Sequence, residues 1–268
     1  MATSTKGTAV VTGASSGIGA IYADRLARRG YDLILVARNQ ARLDAVADRI
    51  AGVTGRAVKA VAADLNDKAD LKRVEAILAT DRGITMLVNN AGVGALKPLL
   101  QSDIGAMEEM IDLNVTALTR LTYAAAPAFV ARGGGAIINI SSVVAVAPEV
   151  LNGVYGASKA FVLALTQSLH KELADKNVRI QVVLPGATAT NFWDTAGGAV
   201  DNLPSAMVMQ SADLVDAALA GFDQGELVTI PSLPEAADWF GYEGARQKLI
   251  PNLSLNSVPP RYRTALAA

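Results

Sequence analysis

Seven short apolar runs, separated by longer segments of helical periodicity, constrain the fold of this chain more than any other feature. The runs are Thr8 to Thr12, Leu33 to Ala37, Ala57 to Ala62, Met86 to Asn89, Ala136 to Ile140, Ile180 to Leu184 and Val228 to Ile230. They are nearly continuous in apolar residues, the pattern of parallel strands covered on both faces. Helical patterns lie between them, at about Ile18 to Arg29, Ala41 to Ala51, Lys68 to Thr80, Gly105 to Ala131, Val154 to Ala174 and Ala212 to Phe222. This alternation predicts an α/β chain: a doubly wound parallel sheet of about seven strands, with helices on both faces and right-handed crossovers. The 268 residues hold no internal repeat and no low-complexity linker, so one domain over 1–268 is expected.

Composition removes several function classes. Hydrophobic residues make up 51% of the chain, enough for a large core, and 24 Lys and Arg nearly balance 25 Asp and Glu. Nothing in that balance calls for a nucleic-acid or polyanion partner. The charged stretch Asp64 to Glu75 reads as the solvated face of a helix. No apolar run is long enough to span a bilayer, and the opening MATSTKGTAVV has no leader pattern. The expected location is therefore cytoplasmic. The absence of cysteine excludes disulfides, thiolate metal sites and thiol nucleophiles. With one histidine, His170, a histidine-rich metal site or a Ser–His–Asp triad is hard to build, and a surface or subunit-contact role is expected for it.

Two stretches break the alternation. Residues 191–210 carry Gly197, Gly198 and Pro204 with little periodicity, as substrate or lid loops do. The tail 231–268 has five prolines and a short helical pattern near Glu235 to Leu249, and reads as an appendage to the sheet.

The first run ends in Thr12-Gly13-Ala14-Ser15-Ser16-Gly17-Ile18-Gly19. Glycines here allow a tight turn and close approach of backbone to a pyrophosphate, and the following helix aims its free N–H groups at the anion. Ser15 and Ser16 can donate to phosphate or ribose, and can equally cap the helix. The second run ends Val36-Ala37-Arg38-Asn39, without the carboxylate that would bond both ribose hydroxyls and repel a 2′-phosphate. Arg38 offers a planar fork to such a phosphate, which favours NADP(H), with NAD(H) possible. A merely solvated arginine beside Arg42 is the other reading. Tyr155 and Lys159 stand at i and i+4 on one helix face. An ammonium near a phenol favours the phenolate, so the pair predicts a tyrosine whose pKa is lowered toward use as a general acid or base. Ser141 and Ser142 follow the fifth run, where a hydroxyl can bond a substrate oxygen.

These pieces together resemble the short-chain dehydrogenase/reductase family in its single-domain form, with motif matches from Thr12 to Thr190. The resemblance implies a Rossmann-type fold, a nicotinamide cofactor, and interconversion of a ketone or aldehyde with an alcohol. It assigns catalysis to Asn114, Ser142, Tyr155 and Lys159. Ser142 is chosen over Ser141 because it stands 13 residues before Tyr155. Asn114 is placed at a local helix break, where its backbone holds a relay water. Cofactor contacts are assigned to the turn at Gly13, Ser15, Ser16, Gly17, Ile18 and Gly19, to Arg38, and to Asp64 and Leu65 at the adenine. Asn90, Ala91 and Gly92 are assigned to the ribose, with Asn89 bracing the sheet. Ile140, Pro185, Gly186, Thr188 and Thr190 are assigned to the nicotinamide, whose ribose Lys159 also holds. Phe192 and Trp193 read as a substrate wall or as loop anchors. The family's pairing of the two long helices across subunits implies a homodimer or homotetramer. The tail departs from many members, which weakens any transfer of substrate. The competing functions on this fold are a non-catalytic nucleotide-binding or scaffold protein and an epimerase or dehydratase holding NAD.

Overall fold

The computed structural model describes residues 6–262. Residues 1–5, part of the stretch read for a leader, and 263–268, the end of the proline-rich tail, lie outside the described residues. The chain divides into two compact units, Met1–Ser232 and Leu233–Ala268.

The first unit is built on one parallel sheet. Its strands are β1 (Thr8–Thr12), β2 (Asp32–Ala37), β3 (Val58–Ala62), β4 (Ile84–Asn89), β5 (Gly135–Ile140), β6 (Val178–Val183) and β9 (Val228–Thr229). They lie in the order β3-β2-β1-β4-β5-β6-β9. The seven runs of the sequence are these seven strands, to within two residues at each end. Strand order reverses between β1 and β4, so the carboxyl ends of those two strands open a crevice. One face of the sheet packs Val11, Leu35, Val88, Ile138 and Val183 with α1 (Gly17–Arg28) and α8 (Ser211–Gln224). The other packs Val10, Ile34, Leu87 and Ile137 with α3 (Lys68–Thr80) and α5 (Leu118–Ala131). α2 (Gln40–Thr54) and α6 (Gly153–Glu172) complete the layers.

Three features differ from the sequence expectation. The single helix that periodicity gives over Gly105 to Ala131 is interrupted, at the place where the family resemblance sets a helix break at Asn114: α4 (Ile104–Ile111) passes through a π-helical segment, Asp112–Ala117, into α5. Residues 191–210 are not structureless. They hold α7 (Phe192–Ala196) and end in a two-residue strand β8 (Met209–Gln210), which pairs in parallel with β7 (Thr188–Ala189). Third, Ser16 is the N-cap residue of α1, yet its hydroxyl makes no capping hydrogen bond.

The second unit contains α9 (Ala236–Gln247) and two single turns, Ile250–Asn252 and Pro260–Tyr262. Trp239 and Tyr242 stack with ring centroids 5.3 Å apart, and Arg246 pairs with Glu243 on the same helix. Among the described residues no helix is long and apolar enough to cross a membrane.

Candidate active site

The crevice between β1 and β4 is fastened by Thr12. Its buried hydroxyl donates to the carbonyl of Val88 (3.3 Å) and accepts from the N–H groups of Asn90 and Ala91 (both 3.0 Å). The Asn90 amide donates in turn to the carbonyl of Thr12 at 2.9 Å. The glycine turn is thereby tied to the end of β4. Gly13 has φ +65°, and a methyl group on it would come within 2.8 Å of Asn90 Nδ2 and 3.0 Å of Ala91 Cα. The turn closes only without side chains there. Beside it, the hydroxyls of Ser15 and Ser16 have no protein partner among the described residues, and the first turn of α1 leaves its N–H groups free. Arg38 and Arg42 stand exposed at the end of β2 and the start of α2, and among the described residues neither guanidinium has an ion-pair partner. Asp64 accepts from the N–H of Asn66 in a local turn, while the Leu65 side chain is buried in the core.

Tyr155 and Lys159 share the buried face of α6. Asn152 caps this helix by accepting from the N–H groups of Val154 (2.9 Å) and Tyr155 (3.3 Å). Its amide donates to the carbonyl of Lys97 and the hydroxyl of Ser102, fixing the start of α6 against the loop after β4. Lys159 Nζ donates to the carbonyl of Ile140 at 3.1 Å and lies 5.9 Å from the centre of the Tyr155 ring. A methyl on Gly92 would come within 3.3 Å of Nζ, so the backbone after β4 passes directly by the ammonium.

The two serines separate cleanly. Ser141 donates to the carbonyl of Lys159 at 2.7 Å and so pins α6 to β5. Ser142 lies where the β5–β6 ladder continues past the strand ends, and its hydroxyl is near enough to the Tyr155 phenol to favour the phenolate. Asn114, in the π-helical turn, brackets Val93: it accepts from the Val93 N–H (3.0 Å) and donates to the Val93 carbonyl (2.8 Å). It also donates to Ser158 on α6. Behind the site, buried Asn89 donates to Asn139 and Thr122, and Asn139 to Thr166, a polar bridge across β4, β5 and their helices. Pro185 supplies a carbonyl to Val143 and Ser142, and Thr190 stands over Gly17. Thr188 is buried and bonds the carbonyl of Gly186.

The electrostatics correct one sequence expectation. The i, i+4 pairing predicts a tyrosine lowered by its lysine, but the phenol is raised instead. Desolvation pushes the Tyr155 phenol up to about 12, against a smaller opposite effect of the Ser142 hydrogen bond. Burial likewise brings Lys159 down to about 8. The cause is an apolar nest: Met107, Met110, Val144 and Phe192 pack with Tyr155. Trp193 is a loop anchor, buried with its indole N–H donating to the carbonyl of Thr188 at 2.8 Å. Phe192 instead faces the site, 5.8 Å from the Tyr155 ring. Sequence reading assigned no role to Thr12, Asn139, Asn152 or Ser158. Only Asn152 carried a local signal, as an N-cap residue before a helical pattern.

An all-parallel doubly wound sheet, with a glycine turn at its reversal point and a serine, tyrosine and lysine gathered at its carboxyl edge, is the Rossmann-type oxidoreductase class. The sequence matches the family described as short chain dehydrogenase over residues 7–199, and the chain belongs to that family. It is 51% identical to a short-chain dehydrogenase from Sphingobium yanoikuyae solved in complex with NADPH. That match covers 96% of this chain and 100% of the other, with a TM-score of 0.93. A bulky-bulky ketone specific alcohol dehydrogenase from Comamonas testosteroni is 44% identical over 96% of this chain and 98% of its own (TM-score 0.88). Human 17-beta-hydroxysteroid dehydrogenase type 3 is 38% identical over 68% of this chain and 59% of its own length.

Proposed function

We propose that this protein is an NADP(H)-dependent oxidoreductase that interconverts an apolar ketone or aldehyde with its alcohol. The observation that carries this reading is Tyr155: a buried phenol held neutral, with Ser142 and Lys159 beside it, at the carboxyl edge of the sheet. A merely nucleotide-binding protein has no use for that group.

The crevice fits a dinucleotide. Gly13, Gly17 and Gly19 with the free N–H groups of α1 would hold the pyrophosphate, aided by Ile18 N–H and the unpartnered hydroxyls of Ser15 and Ser16. Arg38, with Arg42 beside it, would hold a 2′-phosphate. Asp64 and Leu65 would face the adenine, and Asn90, Ala91 and Gly92 its ribose. Ile140, Pro185, Gly186, Thr188 and Thr190 would frame the nicotinamide, with Lys159 on the second ribose. When bound, the nicotinamide supplies the hydride for reduction and accepts it in oxidation. The Sphingobium relative, solved with NADPH, supports the choice of NADP.

The chain's own residues handle the oxygen and the proton. Ser142 holds the substrate oxygen and stabilises negative charge as it develops. Tyr155 donates its proton to that oxygen in reduction and takes it back in oxidation. Lys159, when charged, stabilises the phenolate left behind. Asn114 keeps the backbone at Val93 and the π-helical turn in place beside Lys159, where the relay of protons to solvent would start. The apolar surroundings of Tyr155 and the ketone specificity named for the Comamonas relative favour a ketone with at least one large apolar substituent. A homo-oligomer is supported by exposed Ile111, Tyr123 and Phe161 on the helices that flank the site.

The test is NADPH and NADH consumption against a carbonyl panel that includes aryl and branched ketones, with Tyr155→Phe as control. NADPH-dependent reduction should fall on the order of 100-fold or more in Tyr155→Phe, with NADPH affinity preserved. Undiminished turnover in that variant overturns the assignment.

A further inference from the structure

We propose that Phe192 sets which ketones this site accepts, by standing where one substituent of the substrate must lie, and that Gly94 is what seats it there. The inference deepens the oxidoreductase reading above and rests on it.

Phe192 opens α7, and its ring reaches Tyr155, with centroids 5.8 Å apart and planes tilted by 42°. The ring lies on the loop after β4. A methyl group added to Gly94 would come within 2.2 Å of Cζ and 2.7 Å of Cε2 of Phe192, so glycine is required for the ring to occupy this place. Two further contacts make the position a fixed one. Trp193 meets the Phe192 ring edge-on at 5.7 Å and is itself anchored to Thr188. The N–H of Leu96 donates to the carbonyl of Ala196 at the other end of α7. The loop after β4 and α7 therefore close together over the tyrosine, with Phe192 as the side chain between them.

The consequence is chemical. A carbonyl bonded to Ser142 and Tyr155 carries two substituents, and the one on the Gly94 side must share space with this ring. A methyl or hydrogen fits with the ring seated. An aryl or branched substituent has to take the ring's place on the glycine, with Phe192 swung aside. Phe192 thus penalises bulk on one side of the carbonyl. Shortening it should relax that penalty, and because Phe192 also packs on Tyr155, the rate on the methyl ketone in the same variant reads any change in proton transfer separately from the ratio.

The experiment compares kcat/KM for two matched ketones, one aryl methyl and one aryl with a second bulky group, in wild type, Phe192→Ala, Gly94→Ala and the double variant. Phe192→Ala should raise the bulky-to-methyl ratio on the order of 10-fold or more, the effect of a methylene-scale change in an apolar pocket. Gly94→Ala displaces the same ring and should also change the ratio, but only while the ring is present. In the Phe192→Ala background its effect should vanish. An unchanged ratio in Phe192→Ala, or a Gly94→Ala effect that persists undiminished in the double variant, overturns the proposal. NADPH affinity and thermal melting of each variant separate a selectivity change from misfolding. If wild type shows no Tyr155-dependent turnover on any ketone, it is the oxidoreductase reading that fails. If that turnover is present and the ratio does not move, this inference alone fails.

Discussion

Gly13→Ala and Gly55→Ala make a controlled pair, because both glycines have left-handed backbone and only one is crowded. Gly13 has φ +65° and Gly55, the C-cap of α2, has φ +67°. An L side chain in that conformation costs about 1–2 kcal/mol at either position. Around Gly55 nothing lies within 4 Å of the added carbon, so the penalty ends there. At Gly13 the methyl would sit 2.8 Å from Asn90 Nδ2, 3.0 Å from Ala91 Cα and 3.1 Å from Ala91 N. Ala91 cannot retreat freely, since its N–H is bonded to Thr12 Oγ1. Overpacking of this kind adds about 1–3 kcal/mol. The expected losses are therefore about 2–5 kcal/mol for Gly13→Ala against about 1–2 for Gly55→Ala. Urea unfolding of the two variants with unchanged m-values measures the gap. NADPH titration should show weakened binding only for Gly13→Ala. Equal losses of stability would refute the steric account. Wild-type NADPH affinity in a destabilised Gly13→Ala protein would refute the turn as a cofactor cradle.

Two more outcomes follow from the charges. Arg38→Ala should lower the NADPH-to-NADH ratio of kcat/KM about 10-fold or more, the worth of a charge-assisted hydrogen bond, while Arg42→Ala should do less. An unchanged ratio would leave Arg38 a solvated arginine. Lys159 titrates near 8 in the folded protein and at 10.5 when unfolded, so between those values the unfolded chain holds more protons and stability rises with pH. The buried ammonium destabilises fully below about pH 8. Lys159→Met should therefore stabilise the protein at pH 7 and lose that advantage as pH rises toward 10.5, followed by urea midpoints across pH. Tyr155, raised from 10.0 to about 12, acts in the opposite sense, and stability should fall with pH above 10 on its account.

The sheet was legible because strands buried on both faces must be apolar throughout, and the chain has no other seven runs of that kind. Helix positions were legible for the same reason, since each carries one apolar stripe. What escaped was set by contacts far away in sequence. The π-helical turn at Asp112–Ala117 goes with Asn114 reaching Val93, 21 residues earlier; no periodicity announces it, and only the family resemblance sets a break at Asn114. The β7–β8 pair is two residues long on each side, too short to have a period. Ser141 and Ser142 differ in nothing local, and only the spacing to Tyr155 favours Ser142; in the structure the carbonyl of Lys159 takes the Ser141 hydroxyl, while that of Ser142 donates to the carbonyl of Pro185. Phe192 and Trp193 are adjacent aromatics in a loop, and only the carbonyl of Thr188 distinguishes anchor from wall.

The pKa of Tyr155 shows most sharply where sequence reasoning stops. Spacing brings a cation to a phenol and gives the sign of that one interaction, downward. It says nothing of Met107, Met110, Val144 and Phe192, which pack with Tyr155, or of the burial of Lys159. Desolvation disfavours the phenolate and the ammonium alike, so each moves toward its neutral form. The result is asymmetric for the proposed chemistry. A neutral phenol is ready to give a proton to a ketone oxygen anywhere below about pH 12. Taking a proton from an alcohol requires the phenolate, which the apolar nest opposes. Reduction should therefore be nearly flat in pH up to about 8, where Lys159 begins to lose its charge, while alcohol oxidation should climb with pH throughout. Initial rates in both directions over pH 6–10 check this. Parallel profiles would mean that the phenol is not the group exchanging the proton.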